Sequence, residues 1–142
     1  MAGVNSRRIW IGTLAGGVVW NAWSVIVSLA VLGPRYAAMQ EQGMFLRQPR
    51  YGFFMPAWVV LLFVLAYLCA RFYSGVRATW GAGAKTAVLV GMAVGFAAGF
   101  PSNFAQATWS PVPRVFPLWW MLVLWVGAVL ATLVAGWLYR DA

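Results

Sequence analysis

The chain has 142 residues, of which 63% are hydrophobic and 8% are charged, and its formal net charge is +8. A typical soluble domain carries about 25% charged residues, so this composition excludes a soluble globular domain, a disordered tail and a disulfide-stapled secreted module. It predicts an integral membrane protein whose length corresponds to one domain.

Uncharged apolar runs divide the chain into four segments of membrane length. Runs of 26, 20, 28 and 25 uncharged residues lie between Arg8 and Arg35, Arg50 and Arg71, Lys85 and Arg114, and Arg114 and Arg140. A spanning helix needs roughly 20 apolar residues, whereas strands of an outer-membrane barrel are about 10 residues of alternating polarity. We therefore predict an all-α four-helix membrane bundle with transmembrane helices at roughly 10–32, 54–75, 86–106 and 116–138.

The first apolar run has two interpretations. Arg7 and Arg8 precede it, as the charged residues of a secretory signal peptide would. The apolar core of a signal peptide is about 7–15 residues long, and this run is longer. We therefore expect a first helix that is retained in the mature protein.

Basic residues predict the orientation of the bundle. Four spans place both termini on one side, with six basic residues: Arg7, Arg8, Arg71, Arg77, Lys85 and Arg140. The other side has four: Arg35, Arg47, Arg50 and Arg114. The positive-inside rule then predicts cytoplasmic termini and an external loop at 33–53. Nine arginines against one lysine are typical of a GC-rich bacterial genome, which predicts the bacterial cytoplasmic (inner) membrane.

Aromatic residues lie near the ends of the predicted helices. On the termini side these are Trp10, Trp80, Trp137 and Tyr139, and on the other side Tyr36, Tyr51, Trp58, Trp109, Trp119 and Trp120. Amphipathic rings favour the headgroup level of a bilayer. We interpret both sets as interfacial anchors.

The first predicted helix carries a polar face. Asn21, Ser24 and Ser28 follow Gly17 at spacings of four, three and four residues, which places them on one side of a helix. An amide in hydrocarbon needs a hydrogen-bond partner, and we expect Asn21 to find one in Tyr67, near the middle of the second helix. This face is either a structural contact between helices or the polar wall of a small ligand pocket.

Small residues recur at helical spacing in three of the predicted helices. Gly91, Gly95 and Gly99 lie in the third helix, Gly127, Ala131 and Ala135 in the fourth, and Gly12 and Gly16 in the first. Such a stripe lets another helix approach closely. It predicts either packing within the chain or a docking face for a second copy or a larger membrane complex.

Polar residues cluster at the end of the third predicted helix. Ser102, Asn103 and Gln106 follow Pro101, and a proline inside a helix removes a backbone donor and kinks or ends the helix. Broken helices at membrane depth line cavities in transporters. These side chains therefore line a ligand pocket or lie among lipid headgroups at a fraying helix end.

Arginine follows proline at three places near the predicted outer interface. Arg35, Arg50 and Arg114 follow Pro34, Pro49 and Pro113. A guanidinium binds phosphate in a bidentate manner, so these arginines are candidate contacts for anionic headgroups. Independent snorkelling anchors are the alternative.

Side chains for most metal, haem and acid–base sites are scarce. The chain has no histidine, one cysteine (Cys69) and two carboxylates (Glu41 and Asp141), both outside the predicted helices. We therefore expect no enzyme activity, no cofactor, no catalytic or metal-binding residue and no proton coupling through an intramembrane carboxylate. Cys69 is interpreted as a small buried apolar residue. The net charge indicates contact with lipid phosphates rather than nucleic acid.

These patterns predict a non-catalytic integral membrane protein that packs with itself or with a larger membrane complex and contacts lipid. The alternative is a small transporter or channel for an uncharged or anionic solute. Four helices fill their own centre, so an aqueous pore would need an oligomer. Co-purifying partners would favour the first function, and solute flux in liposomes the second.

Overall fold

A computed structural model describes residues 4–139, and all regular secondary structure in that range is helical. The elements are α1 (Ser6–Ile26), a π-helical turn called the π segment (Val27–Leu32), α2 (Gly33–Glu41), α3 (Phe54–Trp80), α4 (Ala84–Trp109) and α5 (Val115–Leu138). Four spans are long and apolar enough to cross a membrane: Ser6–Glu41, α3, α4 and α5. The structure therefore confirms the predicted all-α bundle of four spanning helices.

Both ends of the described chain lie at the same end of the bundle. The Asn5 side chain caps α1 by accepting a hydrogen bond from the Arg8 backbone N–H (3.1 Å). The Tyr139 hydroxyl, just after α5, accepts a hydrogen bond from the Asn5 backbone N–H (3.0 Å). We call this end the termini end. The opposite end, which carries residues 42–53 and 110–114, is the loop end.

The first span is longer than the sequence predicts. α1 continues through the π segment into α2, and only residues 42–53 connect it to α3. Pro34 lies in the first turn of α2, directly after the π segment, and a local π adjustment is one way in which a membrane helix accommodates a proline. The prediction that 33–53 is a loop is therefore wrong for 33–41.

α4 also passes through a proline without ending. Pro101 lies inside this helix, which continues to Trp109. Neighbouring helices and local adjustments allow a membrane helix to tolerate such a proline. The polar residues that follow Pro101 are therefore held on a continuous helix, so of the two alternatives, a kink or an end of the helix, the end at this proline is excluded.

α5 is the central helix of the bundle. It packs against α1, α3 and α4, whereas no Cα atoms of α1 and α4 lie within 8 Å of each other. A Cβ atom added at Gly12 would lie 3.0 Å from the Cβ of Ala135, and one at Gly16 would lie 2.8 Å from the carbonyl oxygen of Ala131. Small residues on α1 and α5 thus allow the two backbones to pack closely.

The glycine stripe of α4 packs on another part of α5. Gly91, Gly95 and Gly99 are buried. A Cβ atom added at Gly91 would lie 2.6 Å from the Cα of Val129, and one at Gly95 would lie 2.7 Å from the Cα of Trp125. The stripe is therefore covered by the same chain, which agrees with internal packing and not with a free docking face.

The core consists of three clusters along the bundle. Ile9, Ala70, Tyr73, Ala87, Val90, Ala135 and Tyr139 form the cluster at the termini end. Trp20, Leu62, Ala66, Cys69, Ala128 and Ala131 form the middle cluster, and Val27, Leu32, Phe116 and Val123 form the cluster at the loop end. Cys69 is free and fully buried, in agreement with its interpretation as a buried apolar residue.

Two tryptophans of α1 donate hydrogen bonds to the backbone of α5. The indole N–H of Trp20, which is fully buried, donates a hydrogen bond to the Val123 carbonyl oxygen (2.9 Å). The indole N–H of Trp23 donates to the neighbouring Leu122 carbonyl oxygen (3.1 Å). Each indole therefore combines a large packing surface with a directional bond between helices.

Candidate functional site

A cavity of about 630 Å³ lies at the loop end, and we call it the loop-end cavity. This volume falls within the usual range for pockets that bind small molecules. Its wall is formed by Asn21, Ser24, Val25, Ser28, Leu29, Tyr36, Phe54, Met55, Trp58, Val59, Ser102, Asn103, Trp120, Val123 and Leu124. Of the seven polar residues predicted for a pocket or an interhelical contact, five lie in this wall: Asn21, Ser24, Ser28, Ser102 and Asn103.

The other two predicted residues, Tyr67 and Gln106, lie elsewhere. The ring of Tyr67 packs against Trp10, with centroids 5.2 Å apart, and Gln106 is exposed outside the cavity wall. The Asn21 amide instead reaches the carbonyl oxygen of Val59, which lies eight residues, or about 12 Å along α3, from Tyr67. The predicted Asn21–Tyr67 pairing is therefore wrong, because the midpoints of the two predicted helices do not lie at the same depth.

Two asparagine amides face the cavity from α1 and α4, whose Cα atoms all lie more than 8 Å apart. Asn21 of α1 donates its amide N–H to the Gly17 carbonyl oxygen (2.9 Å) and, at longer range, to Val59 (3.5 Å). Asn103 of α4 is buried and donates to the Gly99 carbonyl oxygen (2.7 Å). A carbonyl oxygen can only accept, so the NH₂ group of each amide must point to it. Within residues 4–139, the side-chain oxygens of Asn21 and Asn103 have no hydrogen-bond donor.

Two of the hydroxyl groups in the wall accept hydrogen bonds from tryptophans. The Trp58 indole N–H donates to the Ser24 hydroxyl oxygen (3.2 Å), and the Trp120 indole N–H donates to the Tyr36 hydroxyl oxygen (2.7 Å). A hydroxyl that accepts a bond keeps its own proton as a donor. The cavity therefore combines amide oxygens that accept with hydroxyl protons that donate.

The aromatic part of the wall was not predicted as part of a pocket. Tyr36, Trp58 and Trp120 were interpreted as interfacial anchors, and all three line the cavity. Tyr36 reaches it because the helix continues through the π segment into α2, which the sequence pattern did not indicate. The Trp58–Ser24 bond joins residues 34 positions apart, and no local spacing reveals such a contact.

The rim of the cavity is apolar and its inner boundary is packed. Leu29 and Met55 line the cavity and remain 72% and 63% exposed. In a bilayer, exposed residues of this kind contact hydrocarbon, so the opening faces lipid. Toward the termini end, Trp58 and Leu124 belong to the wall and also pack against the middle core cluster. The cavity thus ends at that cluster and does not continue through the bundle.

The three arginines predicted to bind anionic headgroups do not line the cavity. Arg35, Arg50 and Arg114 are exposed at the loop end. The Arg35 guanidinium donates a hydrogen bond to the Val31 carbonyl oxygen, one turn earlier. Their positions suit contacts with headgroups at the membrane surface, and the cavity wall itself carries no formal charge.

A second cavity of about 550 Å³ lies at the termini end. The Arg77 guanidinium lines it, 4.8 Å from the centre of the Tyr139 ring. The Tyr73 hydroxyl accepts a hydrogen bond from the Gly83 backbone N–H (3.1 Å). These contacts tie the end of α5 and the α3–α4 turn to α3, and we assign them a structural role.

No protein-family model matches the chain, and no match was found among curated proteins or solved structures.

Proposed function

We propose that this protein is a non-catalytic, multi-pass membrane protein that contacts lipid and binds a small amphipathic molecule in the loop-end cavity. The proposal rests on one observation. Amide and hydroxyl side chains from α1, the π segment, α2 and α4 line one cavity, and the rim of this cavity is apolar. Polar groups placed at membrane depth are costly unless they are satisfied. A ligand with matching polar groups would satisfy them.

The wall is suited to binding rather than to a reaction. None of its residues is His, Cys, Asp, Glu, Lys or Arg. The serine hydroxyls of the wall therefore have no histidine, lysine or carboxylate beside them to activate them as nucleophiles. The middle core cluster closes the cavity toward the termini end. This closure favours a bound ligand over a solute pathway through one chain, so a transporter or channel is the less supported function.

Filling the cavity should strongly reduce binding. We expect native mass spectrometry of the protein, extracted in mild detergent and mixed with total membrane lipid, to show a retained small-molecule adduct. The Ser28→Phe variant, which places a ring in the wall, should reduce the adduct by about tenfold or more. Val18→Phe is the matched control, because it adds the same ring to an exposed position of α1. Equal adduct populations in all three proteins would refute the proposal.

Assembly with itself or with a larger membrane complex is the second candidate function. The rings of Phe96, Phe100 and Phe104 stack along α4, with centroids 4.9 and 5.4 Å apart. Phe96 and Phe104 are exposed, so this row of stacked rings lies at the outer surface of the bundle. The masses of the extracted particles report the stoichiometry directly, and a mass of one chain with no partner would argue against assembly.

We propose the bacterial cytoplasmic membrane as the location, with both termini in the cytoplasm. The support is the excess of basic residues on the termini side, six against four. In a Cys69→Ala background, a cysteine at Gln42 should react with a membrane-impermeant maleimide added to intact cells. A cysteine at Ala82, in the α3–α4 turn, should react only after the cells are lysed. The reverse pattern would invert the orientation.

A further inference from the structure

Two unsatisfied hydrogen-bond acceptors in the loop-end cavity limit which molecules can bind there. This inference rests on the proposed function. The NH₂ groups of Asn21 and Asn103 donate to carbonyl oxygens of their own helices. The side-chain oxygens of the same two amides accept no hydrogen bond within residues 4–139. These two oxygens can be satisfied only by groups that carry a proton. A ligand with hydroxyl or N–H donors fits them, and an ester or ether alone does not.

The charge of the wall narrows the class further. No lining residue carries a formal charge, and the arginines at this end are exposed outside the wall. An ion moved from water into such a site loses its hydration and gains no opposite charge. Both fatty acid anions and ammonium headgroups are therefore disfavoured, and the ligand is uncharged.

The rim determines how the ligand enters. The exposed apolar side chains of Leu29, Met55 and Val25 border the cavity, so its mouth opens among lipid chains. The hydroxyls of Ser28 and Ser102 lie in the same wall. A molecule with a polar head inside the cavity and a hydrocarbon tail across this rim satisfies both surfaces.

We infer that the loop-end cavity binds a neutral lipid with a hydroxyl-bearing head, of the monoacylglycerol class. Its head donates hydrogen bonds to Asn21 and Asn103, and its chain leaves laterally between the apolar rim residues into the leaflet at the loop end. The Ser24 and Tyr36 hydroxyls, which already accept bonds from Trp58 and Trp120, donate to oxygen atoms of the same head.

The experiment compares three probes with the same hydrocarbon chain: 1-oleoylglycerol, methyl oleate and oleate. The first offers hydroxyl donors, the second offers an ester without a donor, and the third carries a negative charge. In native mass spectrometry titrations of the full chain, 1-oleoylglycerol should bind about tenfold more tightly than either of the others, which corresponds to about one or two additional net hydrogen bonds.

Variants test which residues provide this selectivity. Asn103→Leu and Asn21→Leu should each reduce the preference for 1-oleoylglycerol over methyl oleate from about tenfold to about threefold. Thr108→Val is the matched control on α4, because the Thr108 hydroxyl bonds to its own helix and lies outside the cavity wall. The ratio of two affinities does not change when a variant merely lowers the stability of the fold.

Two results separate this inference from the proposed function. In the first, methyl oleate or oleate binds as tightly as 1-oleoylglycerol, and Ser28→Phe strongly reduces the binding of all three probes. The ligand class is then wrong, but the cavity is still a site that binds molecules from the lipid phase. If no probe binds, or Ser28→Phe has no effect on any of them, the proposed function fails together with the ligand class.

Discussion

Replacing Gly95 by leucine is expected to lower the free energy of unfolding by about 3 kcal/mol, as measured by SDS titration in mixed micelles. Even a single Cβ atom at this position would lie 2.7 Å from the Cα of Trp125 and 2.9 Å from its carbonyl oxygen. These are backbone atoms, which cannot rotate away. The larger side chain must therefore separate α4 from α5. Helices in lipid associate largely through such close packing, so the loss should be large.

Gly75 provides the matched control for this prediction. It lies within α3, and nothing lies within 4 Å of a Cβ atom added there. Gly75→Leu should be neutral or stabilising, because glycine is the weaker helix former by up to about 1 kcal/mol. If Gly95→Leu and Gly75→Leu unfold at the same SDS concentration, close packing of α4 on α5 does not stabilise the bundle.

Truncation of Trp20 to alanine is expected to lower the free energy of unfolding by about 3–5 kcal/mol. Trp20 is fully buried in the middle core cluster, and its indole N–H bonds to the Val123 carbonyl oxygen of α5. Alanine would remove the ring from its contact with Gly127 and leave a void between α1 and α5. The surrounding side chains belong to rigid helices, so the void should close only in part.

Trp109 is the control for this second prediction. It lies at the end of α4 and is 87% exposed, so Trp109→Ala removes the same ring with little loss of internal contact. Its effect on unfolding should stay below about 1 kcal/mol. Equal effects of Trp20→Ala and Trp109→Ala would show that the α1–α5 contact contributes little to stability.

The four spans could be predicted because charge is excluded from hydrocarbon. The runs without charged residues give the number and type of the helices, and the bounds of α3, α4 and α5 agree with the predicted ones at the loop end within a few residues. The first span differs because proline in the first turn of a helix does not end it. Proline occurs both in loops and in the first turn of a helix, so Pro34 does not distinguish a loop from the start of α2.

The polar wall of the cavity could be predicted in part for a similar reason. Asn21, Ser24 and Ser28 share a face at fixed spacing, and such a face must point into the bundle. The spacing contains no information about the relative depth of two helices, so Tyr67 was placed opposite Asn21 instead of against Trp10. Two hydrogen bonds of the wall depend on that relative depth and could not be predicted from spacing within one helix. They join Trp58 to Ser24 and Trp120 to Tyr36.

The central position of α5 has a consequence for biosynthesis. The spans enter the membrane in chain order, and α5 is synthesised after the other three. Until it is inserted, the small residues of α1 and α4 lack the backbone on which they pack, because both sets pack on α5 and no Cα atoms of α1 and α4 lie within 8 Å of each other. Close packing of α1 and α4 therefore waits for α5, and nascent chains arrested before α5 should be exposed to membrane quality-control proteases.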